Sequence, residues 1–176
     1  MHRGAHPAVA SRRVQRQKTL KGPIHCSGIG LHSGNKVSLT LGPAAPDTGI
    51  VFIRTDLPAA QAVIAADHRN VVDTRLCTAL ANRHGARVAT VEHLMAALAG
   101  CEIDNLEVRL NGPEVPAMDG SAEPFVFLIE CAGIAEQAQP RRAIEVLRPV
   151  SAGGADRFAS LSPAAGATFS VAIDFD

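Results

Sequence analysis

Tryptophan and tyrosine are absent from this sequence, and six phenylalanines bring the aromatic share to only 3%. Binding of single-stranded nucleic acid by stacked bases needs exposed rings, so that mode is excluded. The core has to be aliphatic. No run approaches the roughly 18 uninterrupted apolar residues that span a bilayer. None of the four cysteines, Cys26, Cys77, Cys101 and Cys131, lies in a CxxC pair, which excludes a finger-type zinc site. No secretory signal is present, so the thiols are expected to be reduced and the protein cytoplasmic. Acidic residues are missing from positions 1–18, which hold Arg3, Arg12, Arg13, Arg16 and Lys18.

What is present reads as globular, with 47% hydrophobic and 19% charged residues. Positions 1–18 are expected to be a basic, disordered leader. As a nucleic-acid arm it would show strong salt dependence, but no other feature supports such a partner. Residues 19–27 read as a strand and residues 28–34 (GIGLHSG) as a turn. Residues 36–41 alternate as a half-buried strand, and residues 50–53 form another. Residues 76–80 and 87–89 read as short strands around a turn at Arg83, His84 and Gly85. Val91, Leu94, Met95 and Leu98 then fall at i, i+3, i+4 and i+7, one apolar helix face. Thr90 is the expected cap of this helix, and Gly100 its end. Residues 106–110 alternate as a strand. A second helix begins near Ser121, with Pro124 in its first turn and Phe125, Leu128, Ile129 and Ala132 on its apolar face. Gly133 closes it. Two one-faced helices need a sheet to cover. The expected fold is α+β, a two-layer sandwich in which a small, mostly antiparallel sheet carries two helices over residues 19–134. A linker is expected at 135–142, then the strands of an incomplete second domain at 143–147, 158–161 and 168–175. Those strands would leave open edges and an uncovered apolar face.

The chemistry centres on Glu92 and His93 in the first helical turn. Unpaired N–H groups there carry partial positive charge. That field favours an ionised carboxylate, as a general base requires, and a neutral imidazole, as a metal ligand requires. By itself the pair is more often plain dipole and hydrogen-bond chemistry than catalysis. The HExxH pattern would place a second histidine four residues after His93, where Ala97 stands. The loop at 28–34 exposes His32 and backbone N–H groups but meets neither standard phosphate-loop spacing. Asp119, just before the second helix, suits capping as well as catalysis. Cys77 suits a small core side chain as well as a nucleophile.

Taken together, TLKGPIHCSGIGLHSG (19–34), DTRLCTAL (73–80), TVEHLMAALAG (90–100) and IDNLEVRLNGPEVPAMDGSAEPFV (103–126) resemble the N-terminal part of the UDP-3-O-acyl-N-acetylglucosamine deacetylases, the zinc enzymes of lipid A biosynthesis. The resemblance implies two similar α+β domains with the site between their helix layers. It implies hydrolysis of the acetamide of UDP-3-O-acyl-N-acetylglucosamine by a protein that is monomeric when complete. By this resemblance Glu92 is the general base, His93 the first Zn2+ ligand, and Asp119 and His32 polar positions tied to activity. Thr74 and Cys77 lie near the substrate. The family's other zinc ligands lie in the second domain in an HKxxD-like motif, and no HxxxD occurs in these 176 residues. The chain is therefore expected to be inactive alone. A sugar-nucleotide binding module that retains only the first domain is the alternative.

Overall fold

The computed structural model describes residues 15–174, and the chain divides into two compact units, 1–141 and 142–176. The first unit opens with β1 (Arg16–Leu20), β2 (Ile24–Ile29), β3 (Lys36–Pro43), β4 (Ile50–Arg54) and β5 (Val63–Ala65). A single 3-10 turn (His68–Asn70) precedes β6 (Val71–Asp73), β7 (Ala79–Ala81) and β8 (Arg87–Val88). Then come α1 (Glu92–Gly100), β9 (Leu106–Leu110), α2 (Glu123–Ala132) and β10 (Ile134–Pro140).

The main sheet has the order β2-β3-β9-β4-β5, antiparallel except where β4 runs parallel to β9. Its register lines up Ile24, Leu41, Val108, Phe52 and Ile64 as successive partners across all five strands. Strand side chains alternate between faces, so these residues share one face. Leu41, Val108, Phe52 and Ile64 are fully buried. Leu94 and Leu98 of α1 and Phe125 and Ile129 of α2 complete the same core. The expected two-layer α+β arrangement, with the helices on a mostly antiparallel sheet, is the one observed.

Several local expectations change. The stretch 19–27 is two strands, broken at Lys21 and Gly22. Positions 1–14 of the expected leader lie outside the described residues, and Arg16 already pairs with Pro140 in the β1–β10 ribbon. The expected linker is mostly that ribbon's second strand. Its glutamines misled because Gln137 is an internal ligand, accepting from Asn105 Nδ2 at 2.7 Å. Arg141 ends the unit with Nε on Asp104 at 2.8 Å. β5 and β6 went unread because three residues hold too little periodicity.

A second, three-stranded sheet, β6-β7-β8, flanks the first. Arg54 ties the two together. It is 8% exposed, forks onto Asp56 at 2.7 and 2.8 Å, and donates to the Arg87 carbonyl at 2.6 Å.

The second unit holds a hairpin, β11 (Val150–Gly153) with β12 (Phe158–Leu161). Residues 143–147 and the described part of 168–175 are not strands. Ile144, Leu147, Phe169, Val171 and Ile173 are exposed. Among the described residues no helix is long and apolar enough to cross a membrane.

Candidate active site

Glu92 is the first residue of α1, and Thr90 does not cap that helix. Thr90 has φ +56°, a left-handed backbone that a β-branched residue rarely adopts. Such a conformation costs about 1–3 kcal/mol and persists only where its surroundings enforce it. Here the flanking ladder does so: Ala89 N–H donates to Pro113 O at 2.9 Å, and Val115 N–H donates to Ala89 O at 3.0 Å. The Thr90 hydroxyl donates to Glu114 Oε1 at 2.8 Å instead of to its own helix.

The Glu92 side chain turns toward the β6–β7 loop, where its Oε2 accepts from Thr78 N–H at 2.9 Å. Among the described residues its Oε1 carries no hydrogen bond, leaving an acceptor for a water proton. His93 is half-buried beside it. Asp119 comes within electrostatic reach of His93 but accepts from both the N–H (2.9 Å) and the hydroxyl (2.8 Å) of Ser121. The Ser121 donors hold the Asp119 carboxyl below the usual carboxylate range. Ser121 Oγ in turn accepts from Glu123 N–H at 3.2 Å, so Asp119 also organises the start of α2.

The loop at 28–34 is a nest of N–H groups filled from within. His32 N–H and Ser33 N–H each donate to Glu114, to Oε1 and Oε2, at 2.9 Å. An internal carboxylate thus occupies the place an anion would take in a phosphate loop. Gly30 is required here, because a Cβ would collide with Ser33 Oγ and the Glu114 carboxylate. Burial raises the Glu114 pKa, but bonds from His32, Ser33 and Thr90 outweigh it and bring it down to about 2. Sequence reading missed Glu114, whose partners lie 24 to 82 positions away.

An open cleft of about 700 Å3 lies beside this cluster, lined by His32, Cys77, Leu76, Arg75, Arg87 and Glu114 among others. Arg75 and Arg87 sit against Asp73, at 2.9 and 3.6 Å. Cys77 is half-buried on the cleft wall. Thr74 is exposed on the same loop and is not part of the lining. Burial pushes the Cys26 and Cys101 thiols up, as small core side chains would be. The structure therefore brings Glu92, His93 and Asp119 to the two helix starts, and His32 and Cys77 to the cleft. Among the described residues no three His, Cys, Asp or Glu side chains gather into a metal site. The residues present do not by themselves fit a zinc ion.

These features define a class: a two-layer α+β domain with a carboxylate–histidine pair at a helix start beside an open cleft. The family model described as UDP-3-O-acyl N-acetylglycosamine deacetylase matches residues 17–176, and the chain belongs to that family. It is similar to curated proteins named UDP-3-O-acyl-N-acetylglucosamine deacetylase. The one from Acidithiobacillus ferrooxidans is 57% identical over 161 residues, 92% of this chain and 52% of that protein. The one from Chromohalobacter salexigens is 56% identical over 162 residues, 92% and 52% of the two chains. The Haemophilus influenzae protein is 50% identical, with the same coverage. The chain thus spans about half the length of the curated relatives it matches.

Proposed function

We propose that these residues carry the base-bearing half of a zinc-dependent deacetylase that hydrolyses the N-acetyl group of UDP-3-O-acyl-N-acetylglucosamine in lipid A biosynthesis. The observation that supports this most is the Glu92 carboxylate at the helix start, anchored by one oxygen on Thr78 N–H with the other free. A carboxylate held this way accepts a proton from water without having to reorient. His93 is the one zinc ligand these residues contribute, and Asp119 holds the second helix start beside it. The exposed His32, with Thr74 and Cys77, faces the substrate side. Residues 143–176, with the β11–β12 hairpin, begin the second domain, and the enzyme acts as a cytoplasmic monomer without a nucleic-acid partner.

Joining residues 1–176 to the C-terminal half of the Acidithiobacillus ferrooxidans relative tests this. The joined protein should bind one zinc per chain and release acetate from the UDP-sugar. Glu92→Gln in it should cut turnover by roughly 100-fold or more while zinc is retained, and His93→Ala should lose the zinc. The 176-residue polypeptide alone should show negligible turnover, and a rate near that of the joined protein would sink the reading. Sugar-nucleotide binding without metal or turnover would favour a non-catalytic binding module.

A further inference from the structure

Glu114 belongs to none of the helices, yet it ties the 28–34 loop to Thr90, two residues before Glu92. It is 2% exposed and its two oxygens serve four donors. Oε1 accepts from His32 N–H and the Thr90 hydroxyl, and Oε2 from Ser33 N–H, with the Ser33 hydroxyl completing the set. The segment bearing it is itself clamped. It bridges Ala89 on one side, and nearby Ala117 N–H donates to Ile29 O at 2.9 Å on the other. Pro116 packs so closely on Gly28 that a Cβ there would lie 2.9 Å from the proline's own. Thr90 is the strained residue two places before Glu92, and Val91 N–H reaches Thr78 O at 3.4 Å. A continuous path therefore runs from the 28–34 loop through Glu114 and Thr90 to Glu92, and from there to Thr78.

We infer that Glu114 is a positioning residue: its carboxylate locks the His32 loop to Thr90 and so sets the backbone from which Glu92 and His93 project. This rests on reading Glu92 as the base. The chemistry at position 114 is demanding. Glutamine would turn one acceptor oxygen into a donor facing N–H and hydroxyl groups that are themselves donors. Aspartate would be one methylene too short to reach both the loop and Thr90.

Amide hydrogen exchange in the 176-residue chain, read residue by residue by NMR, tests the inference. The reporter is Thr78 N–H, which is protected only while the Glu92 carboxylate stays in place. Glu114→Gln should speed exchange at His32, Ser33 and Thr78 at least tenfold more than at Leu39 and Val108 in the central sheet, whose rates follow global stability. Thr90→Val removes the hydroxyl and keeps the branched shape, so it should speed Thr78 while sparing Ser33. Thr90→Ser should restore wild-type rates. Faster exchange at His32 and Ser33 with Thr78 unchanged would reduce Glu114 to a loop tie and overturn the inference. Equal acceleration everywhere, sheet included, would make it a general stability residue and overturn it as well. If Glu114→Gln does not fold, the Thr90 pair decides alone. Failure of the base reading would instead appear as an inactive joined protein, whatever the exchange rates.

Discussion

At the scale of single residues, Glu114 has a consequence for acid stability. Its folded pKa of about 2 lies below the ordinary 4.5 of a free glutamate, so the folded state binds the proton less readily than the unfolded one. Its stabilising contribution is therefore complete above about pH 4.5, and it is lost as pH falls through about 2. The contribution is on the order of 3 kcal/mol. Urea unfolding of wild type and Glu114→Gln should differ by about that much at pH 7. The two should converge near pH 2, and a difference that stays constant with pH would refute the assignment. Little of this was legible beforehand. Thr90 stands where a capping hydroxyl belongs, and only a partner 24 positions away draws it out of that role. The place of Glu92 and His93 in the first turn of α1 was legible from the apolar helix period, while the roles read for them came from the family resemblance. Asp119's local turn was legible as well, since its partners lie within the three residues 119–121.

At the scale of elements, α2 shows how well periodicity reports burial. Its stripe of Phe125, Leu128, Ile129 and Ala132 faces inward, with Phe125 and Ile129 fully buried. Phe127, two residues on from Phe125, is 63% exposed. Phe125→Ala should cost about 3–5 kcal/mol through lost burial and a residual cavity. Phe127→Ala should cost about 0.5 kcal/mol or less, as surface changes usually do. Chemical denaturation of both variants checks the contrast, and similar losses would mean the helix is rotated from this orientation. Helices and the longer strands were legible because four or more apolar positions repeat with one period. The three-residue β5 and β6 carry no such repeat and exist because neighbouring strands hold them in place. β7 and the two-residue β8 fall on the strands expected at 76–80 and 87–89, and Arg54 holds β8 through the Arg87 carbonyl. β10 was misread for a different reason: Gln137 is polar by composition but internal by hydrogen bonding.

At the scale of the whole chain, the two units differ in how their apolar side chains are covered. The first buries an aliphatic core between sheet and helices, whereas the second exposes Ile144, Leu147, Phe158, Phe169 and Val171. Ending the polypeptide at 142 keeps β10 and the Arg141 contacts while removing those side chains. That version should stay soluble at higher concentration than residues 1–176, as light scattering during concentration would show. Equal solubility would mean the exposed side chains do not associate. The layer architecture was legible across the first unit; in the tail the strand expected at 158–161 is β12, whereas β11 went unread and 143–147 and the described part of 168–175 are not strands. The β1–β10 ribbon has one further consequence, for synthesis. Arg16 finds its partner only at Pro140. At typical rates the ribosome needs roughly 6–25 s to add the intervening residues. During that interval the first strand has no place to go, and the buried carboxamides of Gln17 and Asn105 lack their last acceptor. The domain therefore closes from its middle outward, with its earliest residues among the last to settle.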